Sequence, residues 1–231
     1  MEIGAPVMSR DQILARIGAA LDATGSSIAE RHAGVAMRRA APPAPIIPVR
    51  APSDINGRAD YFRARAEETS ATTDRIAGFP GLPAAIAAYL DKYDRTGAIK
   101  AQPRAAFSDL DWAPLRVAFG PANDTDGIGL VLADGAAAET GTLLMMSGSD
   151  APTALNFLPE TLIAVLPLAR LAGDYEGAWS VLRNASGNEF PTRTVNWISG
   201  PSRSADIEQR VLMGVHGPRN LHIILVDGDG A

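Results

Sequence analysis

Apolar residues along this chain recur first at helical spacing and then, past residue 110, in short branched runs. Ile13, Leu14, Ile17 and Leu21 fall on one stripe of a helix over Ser9 to Leu21, with Ser9 placed to cap it ahead of Arg10 and Asp11. From Arg38 to Pro52 the chain reads RRAAPPAPIIPVRAP, whose five prolines remove donors and fix φ, so an extended linker is expected. Residues 1–37 then form a separable helical arm, 38–53 the linker and 54–231 an α/β domain. Helical spacing returns at Ile55, Tyr61, Phe62 and Ala66, and again over Leu82 to Tyr93, so residues 54–110 are expected to be helical.

After Leu110-Asp111-Trp112 the pattern is that of buried strands: Arg116 to Phe119, Ile128 to Ala133, Gly141 to Met146, Leu162 to Leu166, Val195 to Ile198 and Leu221 to Val226. Helices are expected between them at Asp174 to Arg183 and about Ser204 to Met213. Strands alternating with helices argue for an α/β fold with a mostly parallel sheet covered on both faces.

Composition narrows the chemistry. The 231 residues are 46% hydrophobic and 20% charged, ordinary for a globular chain. No apolar run reaches membrane-spanning length and the first residues lack a signal-peptide core, so the expected compartment is the cytosol. With 0 cysteines, the chain has no thiol nucleophile and no thiolate for an iron-sulfur cluster. His32, His216 and His222 are the 3 histidines, and no pair has metal-ligand spacing, so neither a metal nor a cofactor is expected on this chain. Residues 1–110 carry 14 Lys+Arg against 12 Asp+Glu, and residues 111–231 carry 7 against 14. That acidic second half, with no basic stripe, speaks against nucleic-acid binding. Gly127-Ile128-Gly129 opens like a dinucleotide fingerprint but lacks the third glycine, and neither GxxxxGK[ST] nor GxSxG occurs.

Three polar segments are left to carry chemistry. In Ala138-Glu139-Thr140-Gly141-Thr142 a carboxylate and two hydroxyls open an apolar run; Glu139 can serve as base, nucleophile or anchor, or be a solvated hairpin residue. Gly200-Pro201-Ser202-Arg203-Ser204-Ala205-Asp206 follows a strand and precedes the expected helix. Free amides at that helix start, with Ser202, Ser204 and an Arg203 fork, would cradle a carboxylate or phosphate; alternatively a serine caps the helix and Asp206 complements its dipole. Gly214-Val215-His216-Gly217-Pro218 displays the one histidine suited to proton transfer near neutral pH, or a turn histidine with a backbone role. If all belong to one parallel sheet, Glu139, Thr140, Ser202, Arg203 and His216 converge at its carboxyl edge.

Taken together, AETGTLLMMSG, TALNFLPETLI, GDYEGAW and NWISGPSRSADIEQRVLMGVHGPRNLHIILV resemble the LUD-domain proteins of the lactate-utilisation, or LutC, type. The resemblance implies a core similar to the NagB/RpiA/CoA-transferase class, a three-layer α/β/α sandwich with a mostly parallel sheet, plus an N-terminal helical extension. It also implies a part in oxidising L-lactate to pyruvate beside partner proteins that carry iron-sulfur clusters, as an accessory or ligand-binding subunit. The fold class leaves open acyl or CoA transfer through Glu139, and a pure scaffold. Where the family pattern leads to Thr-His-Ile after Leu-Pro-Glu, this chain has Thr161-Leu162-Ile163.

Overall fold

The computed structural model describes residues 8–22, 25, 27–42, 44, 46–186, 192–207 and 210–228, with the side chains of 22, 185, 186, 205–207, 210 and 211 excepted. It forms two compact units, Met1–Ile46 and Ile47–Ala231. The first holds α1 (Arg10–Asp22) and α2 (Ile28–Ala40). Ser9 caps α1 as expected: its hydroxyl accepts from the Gln12 N–H at 3.3 Å, and its own N–H donates to Gln12 Oε1 at 2.9 Å. The second helix has no counterpart in the sequence reading and ends inside the expected linker; Ser27 and Glu30 form a reciprocal capping box at its start. The Ser27 N–H and hydroxyl on the Glu30 carboxylate hold its pKa below the ordinary value.

The second unit is built on α3 (Ile55–Glu68), α4 (Leu82–Lys92), the single turn α5 (Ala105–Ser108) and α6 (Tyr175–Ser186) around two sheets. The central sheet is six-stranded and wholly parallel. Its order is β1 (Thr72–Ile76), β12 (Asn220–Val226), β7 (Thr161–Pro167), β4 (Ile128–Leu132), β2 (Ile99–Ala101) and β3 (Val117–Phe119). The sheet therefore begins at Thr72, within the region expected to be helical. Strands β1 and β2 escape a hydropathy reading because they are short and β1, TTDRI, is a polar edge. β4 and β7 are buried on both faces, and the period of two sorts their side chains. Leu130, Leu132, Ile163 and Val165 face α4 and Phe107, whereas Val131, Leu162, Ala164 and Leu166 face α3. Leu162, at the position where the family pattern leads to a histidine, is thus a packing residue, 1% exposed.

The α3 face is also covered by a second sheet, in the order β8 (Leu171–Ala172), β5 (Gly135–Ala137), β6 (Thr142–Met146) and β9 (Val195–Ile198). Leu143 and Met145 point to the central sheet, and Leu144 and Ala137 point outward to Ala178 and Leu182 of α6. Two strands expected in the parallel sheet, β6 and β9, are instead antiparallel members of this layer. The expected helix over Ser204 to Met213 is absent. Residues there form a separate ribbon, β10 (Arg203–Ile207) against β11 (Arg210–Met213), pairing Arg203 with Met213 and Ser204 with Leu212. The reason lies at its open end, where Gly214, at φ +80°, turns the chain back and donates its N–H to the Ser202 carbonyl at 2.9 Å.

Because every described core residue lies in the second unit, a chain starting at Ile47 is expected to keep one cooperative thermal transition. Loss of that transition on truncation would show that the helical arm belongs to the core.

Candidate functional site

The AETGT segment is a turn in the second sheet. β5 runs into a 3-10 turn at Ala138–Thr140, Gly141 at φ +64° reverses the chain, and β6 returns with Ala137 opposite Thr142. A left-handed residue is needed here, and only glycine can also approach α3 this closely: a Cβ on Gly141 would run into the Ala66 amide nitrogen and lie 2.8 Å from the Ala66 Cα. β9 lies antiparallel on the other side of β6, which sets Ser199 beside Thr142. Their hydroxyl oxygens are 2.6 Å apart; Thr142 is also 2.7 Å from Thr140 Oγ1 and 3.0 Å from the Tyr175 hydroxyl, which lies 3.1 Å from Thr140. Four hydroxyls from three chain segments therefore touch. Thr142 is fully buried and Ser199 is exposed, so the cluster opens to solvent at Ser199.

Glu139 borders this cluster. One carboxylate oxygen accepts the Tyr175 N–H at the start of α6 at 3.3 Å, and the other faces Arg50 at 3.9 Å. Its side chain is 9% exposed and that of Arg50 60%. Arg50 is brought there because Arg58 pins the following segment, donating to the carbonyls of Pro52, Ser53 and Leu171 at 3.2, 2.6 and 3.2 Å.

Gly200, at φ +75°, would set a Cβ 2.5 Å from the Thr69 carbonyl oxygen, and Arg203 donates to that same carbonyl at the end of α3. The two predicted loops thus do meet, at the last turn of α3. The anion cradle does not form: without a helix there is no helix N-terminus, and the Ser202 amide is committed. Ser202 N–H donates to the Pro218 carbonyl at 2.8 Å, and Ser202 Oγ accepts the His216 N–H at 3.3 Å. Ser204 is a ribbon residue, and the Asp206 side chain lies outside the described residues.

His216 is on the opposite edge from the one expected. It precedes β12 and borders an open cleft of about 750 Å³ formed by the segments that enter β4, β7 and β12, at the amino ends of these strands. The shared carboxyl-edge pocket fails because β9 lies outside the parallel sheet and the His216 turn enters a strand rather than leaving one. Glu139 is not among the residues that line this cleft.

At the carboxyl edge the structure places residues the sequence reading missed. Asp134, 8% exposed, accepts from Arg104 Nη2 at 3.0 Å and from the Met146 N–H at 2.6 Å, tying the end of β4 to β6. Burial raises its pKa against the opposing pull of Arg104 and the Met146 amide. Arg170 donates to the Ala133 carbonyl at 2.8 Å, and burial lowers its pKa. The signal was present as the one charge in the run Ile128 to Ala138. Asp134 is best understood as a joint between the sheets, since both its oxygens are taken. Among the described residues no group of three or more His, Asp or Glu side chains could hold a metal ion, and no helix is long and apolar enough to cross a membrane.

These features define an α/β protein with a parallel six-stranded sheet and a hydroxyl-lined turn in an added layer. The LUD domain family model matches residues 92–226, more than half of the chain, and the chain belongs to that family. Lactate utilization protein C of Halalkalibacterium halodurans is 39% identical over 103 residues, and that of Bacillus subtilis 36% identical over 101 residues. Each alignment covers 43% of this chain and 44% or 42% of the relative, so the match spans less than half of the curated proteins. The crystal structure of a DUF162 family protein from Deinococcus radiodurans shares the fold, at TM-score 0.54 and 22% identity over 76% of this chain and 99% of that one.

Proposed function

We propose that this chain is a ligand-binding subunit of a lactate-utilisation system, acting in the cytosol beside iron-sulfur partner proteins and taking a small carboxylate at the AETGT turn. Relatives named for lactate utilisation support the setting. The observation that carries the site is the hydroxyl cluster of Thr140, Thr142, Tyr175 and Ser199. Each hydroxyl both donates and accepts, so the group can turn its protons toward a carboxylate or toward an alcohol. Arg50, half in solvent and only loosely paired, supplies a cation at the rim. Acyl transfer through Glu139 finds less support, because its side chain is 9% exposed and one of its oxygens already accepts the Tyr175 N–H.

Calorimetric titration with L-lactate, pyruvate and inorganic phosphate tests this. The wild type is expected to bind one of them, and Ser199→Ala to weaken that binding about five- to tenfold, the loss of one net hydrogen bond of roughly 1 kcal/mol. A wild type that binds none of the three at millimolar concentration, or a Ser199→Ala protein that binds as before, sinks the site. Affinity capture from cells grown on lactate, followed by iron analysis, tests the partners.

A further inference from the structure

The cleft at the amino edge of the central sheet plays no part in the reading above, yet its lining is unusual for a surface without a partner. Phe157, Leu158 and Val215 stand at 40%, 51% and 43% exposure around it, large apolar side chains gathered rather than scattered. Beside them are the carboxylates of Asp124, Asp126 and Glu160; the guanidinium of Arg219 also lines the cleft, and that of Arg95 faces Glu160. Asp126 is fixed by the Asn123 N–H at 2.9 Å, and Glu160 faces Arg95 at 3.8 Å, so the loops that carry the charge are ordered by their own contacts.

The cleft is built by three adjacent strands. The segments before β4, β7 and β12 each contribute, and these strands are neighbours in the order β12-β7-β4. Their alignment is held by Thr161 N–H to the Gly127 carbonyl at 3.0 Å and Asn220 N–H to the Glu160 carbonyl at 3.0 Å. The floor is therefore as rigid as the sheet. A pocket for a small molecule encloses its ligand; this one is open to solvent and offers apolar side chains at its rim, the form that suits a chain segment. Charge selects among segments, since acidic walls repel an acidic peptide and attract a basic one.

We infer that the cleft is a docking groove for a basic segment of a partner protein, one that sets an aliphatic or aromatic side chain on Phe157, Leu158 and Val215 and lysine or arginine against Asp124 and Asp126. Binding of this kind falls with salt, because the carboxylates lie at the surface.

Fluorescence anisotropy with a labelled nonapeptide of alternating arginine and leucine tests the inference, using the full chain. The paired change Asp124→Asn with Asp126→Asn is expected to weaken binding about tenfold and Leu158→Ser about threefold. Asp109→Asn with Asp111→Asn, an equal loss of exposed charge on the segment between α5 and β3, is expected to change it by less than about twofold. The same nonapeptide with glutamate in place of arginine should not bind. Absence of binding by the arginine peptide, an equal loss from both aspartate pairs, or an unchanged affinity in Leu158→Ser would each overturn the groove, whatever becomes of the hydroxyl cluster.

Discussion

Gly141→Ala is expected to destabilise the domain by about 3 kcal/mol or more, lowering the melting temperature by roughly 6 to 12 °C. Two costs add. An L-residue held at φ +64° pays about 1 to 2 kcal/mol for its left-handed backbone. The added methyl would also run into the Ala66 nitrogen and stand 2.7 Å from the Arg65 carbonyl carbon and 2.8 Å from the Ala66 Cα. These are backbone atoms inside α3 and cannot swing aside, so the turn or the helix must move, at a further cost of about 1 to 3 kcal/mol. Gly200→Ala meets Thr69 in the same way, at 2.5 Å from its carbonyl oxygen. Gly127→Ala is the control, since nothing lies within 4 Å of the place its methyl would take and its φ is ordinary. Thermal melts of the three variants decide the matter: a Gly141→Ala protein that melts with the Gly127→Ala control would mean the turn is not seated on α3, and the hydroxyl cluster would lose its support.

What the sequence makes legible follows from what hydropathy measures. β4, β7 and β12 appear where expected because strands buried on both faces are continuous apolar runs, and α1 and α6 because one stripe of each is apolar. Pattern does not record partners. Thr142 to Met146 and Val195 to Ile198 read as strands equally well in either sheet, and assigning them to the parallel one moves the expected pocket to the wrong edge. The ribbon strands Arg203–Ile207 and Arg210–Met213 read as a helix from their polar start; the stitching of Ser202 to Gly214 and Pro218 is a contact across the loop that no local window holds. Tyr175 carries no site signal in the sequence, because its hydroxyl reaches Thr140 and Thr142 only through the packing of α6 on the second sheet. In the structure Thr140 and Thr142 lie in one hydroxyl cluster with Tyr175 and Ser199, and Glu139 borders it through the Tyr175 N–H.

Acidification from pH 7 to 4 is expected to remove roughly 3 kcal/mol of stability through His222 alone. This histidine is 2% exposed on β12, its ring stacked on Tyr89 with centroids 3.9 Å apart and planes 9° from parallel. Nδ1 lies 2.9 Å from Thr72 Oγ1, while Nε2 is 3.5 Å from Asp74 Oδ2 and makes no hydrogen bond. Burial pushes its pKa down to about 4, with Lys92 of α4 acting in the same direction and Asp74 and Thr72 of β1 opposing. The unfolded chain takes up the proton near pH 6.5 and the folded one only near 4, so between those values the unfolded state binds more protons. The stabilisation from keeping His222 neutral is complete above about 6.5, declines as pH falls and is gone below about 4; a gap of some 2.5 pKa units corresponds to roughly 3 kcal/mol. Carboxylates add their own dependence below about pH 5, so the measurement is a difference. Chemical denaturation of the wild type and of His222→Gln across pH 7 to 4 should give curves that converge on acidification, because only the wild type carries the penalty of charging a buried ring. Curves that run parallel over the whole range would show that the imidazole is solvated or already paired as a cation with Asp74, and the buried neutral histidine would have to be abandoned.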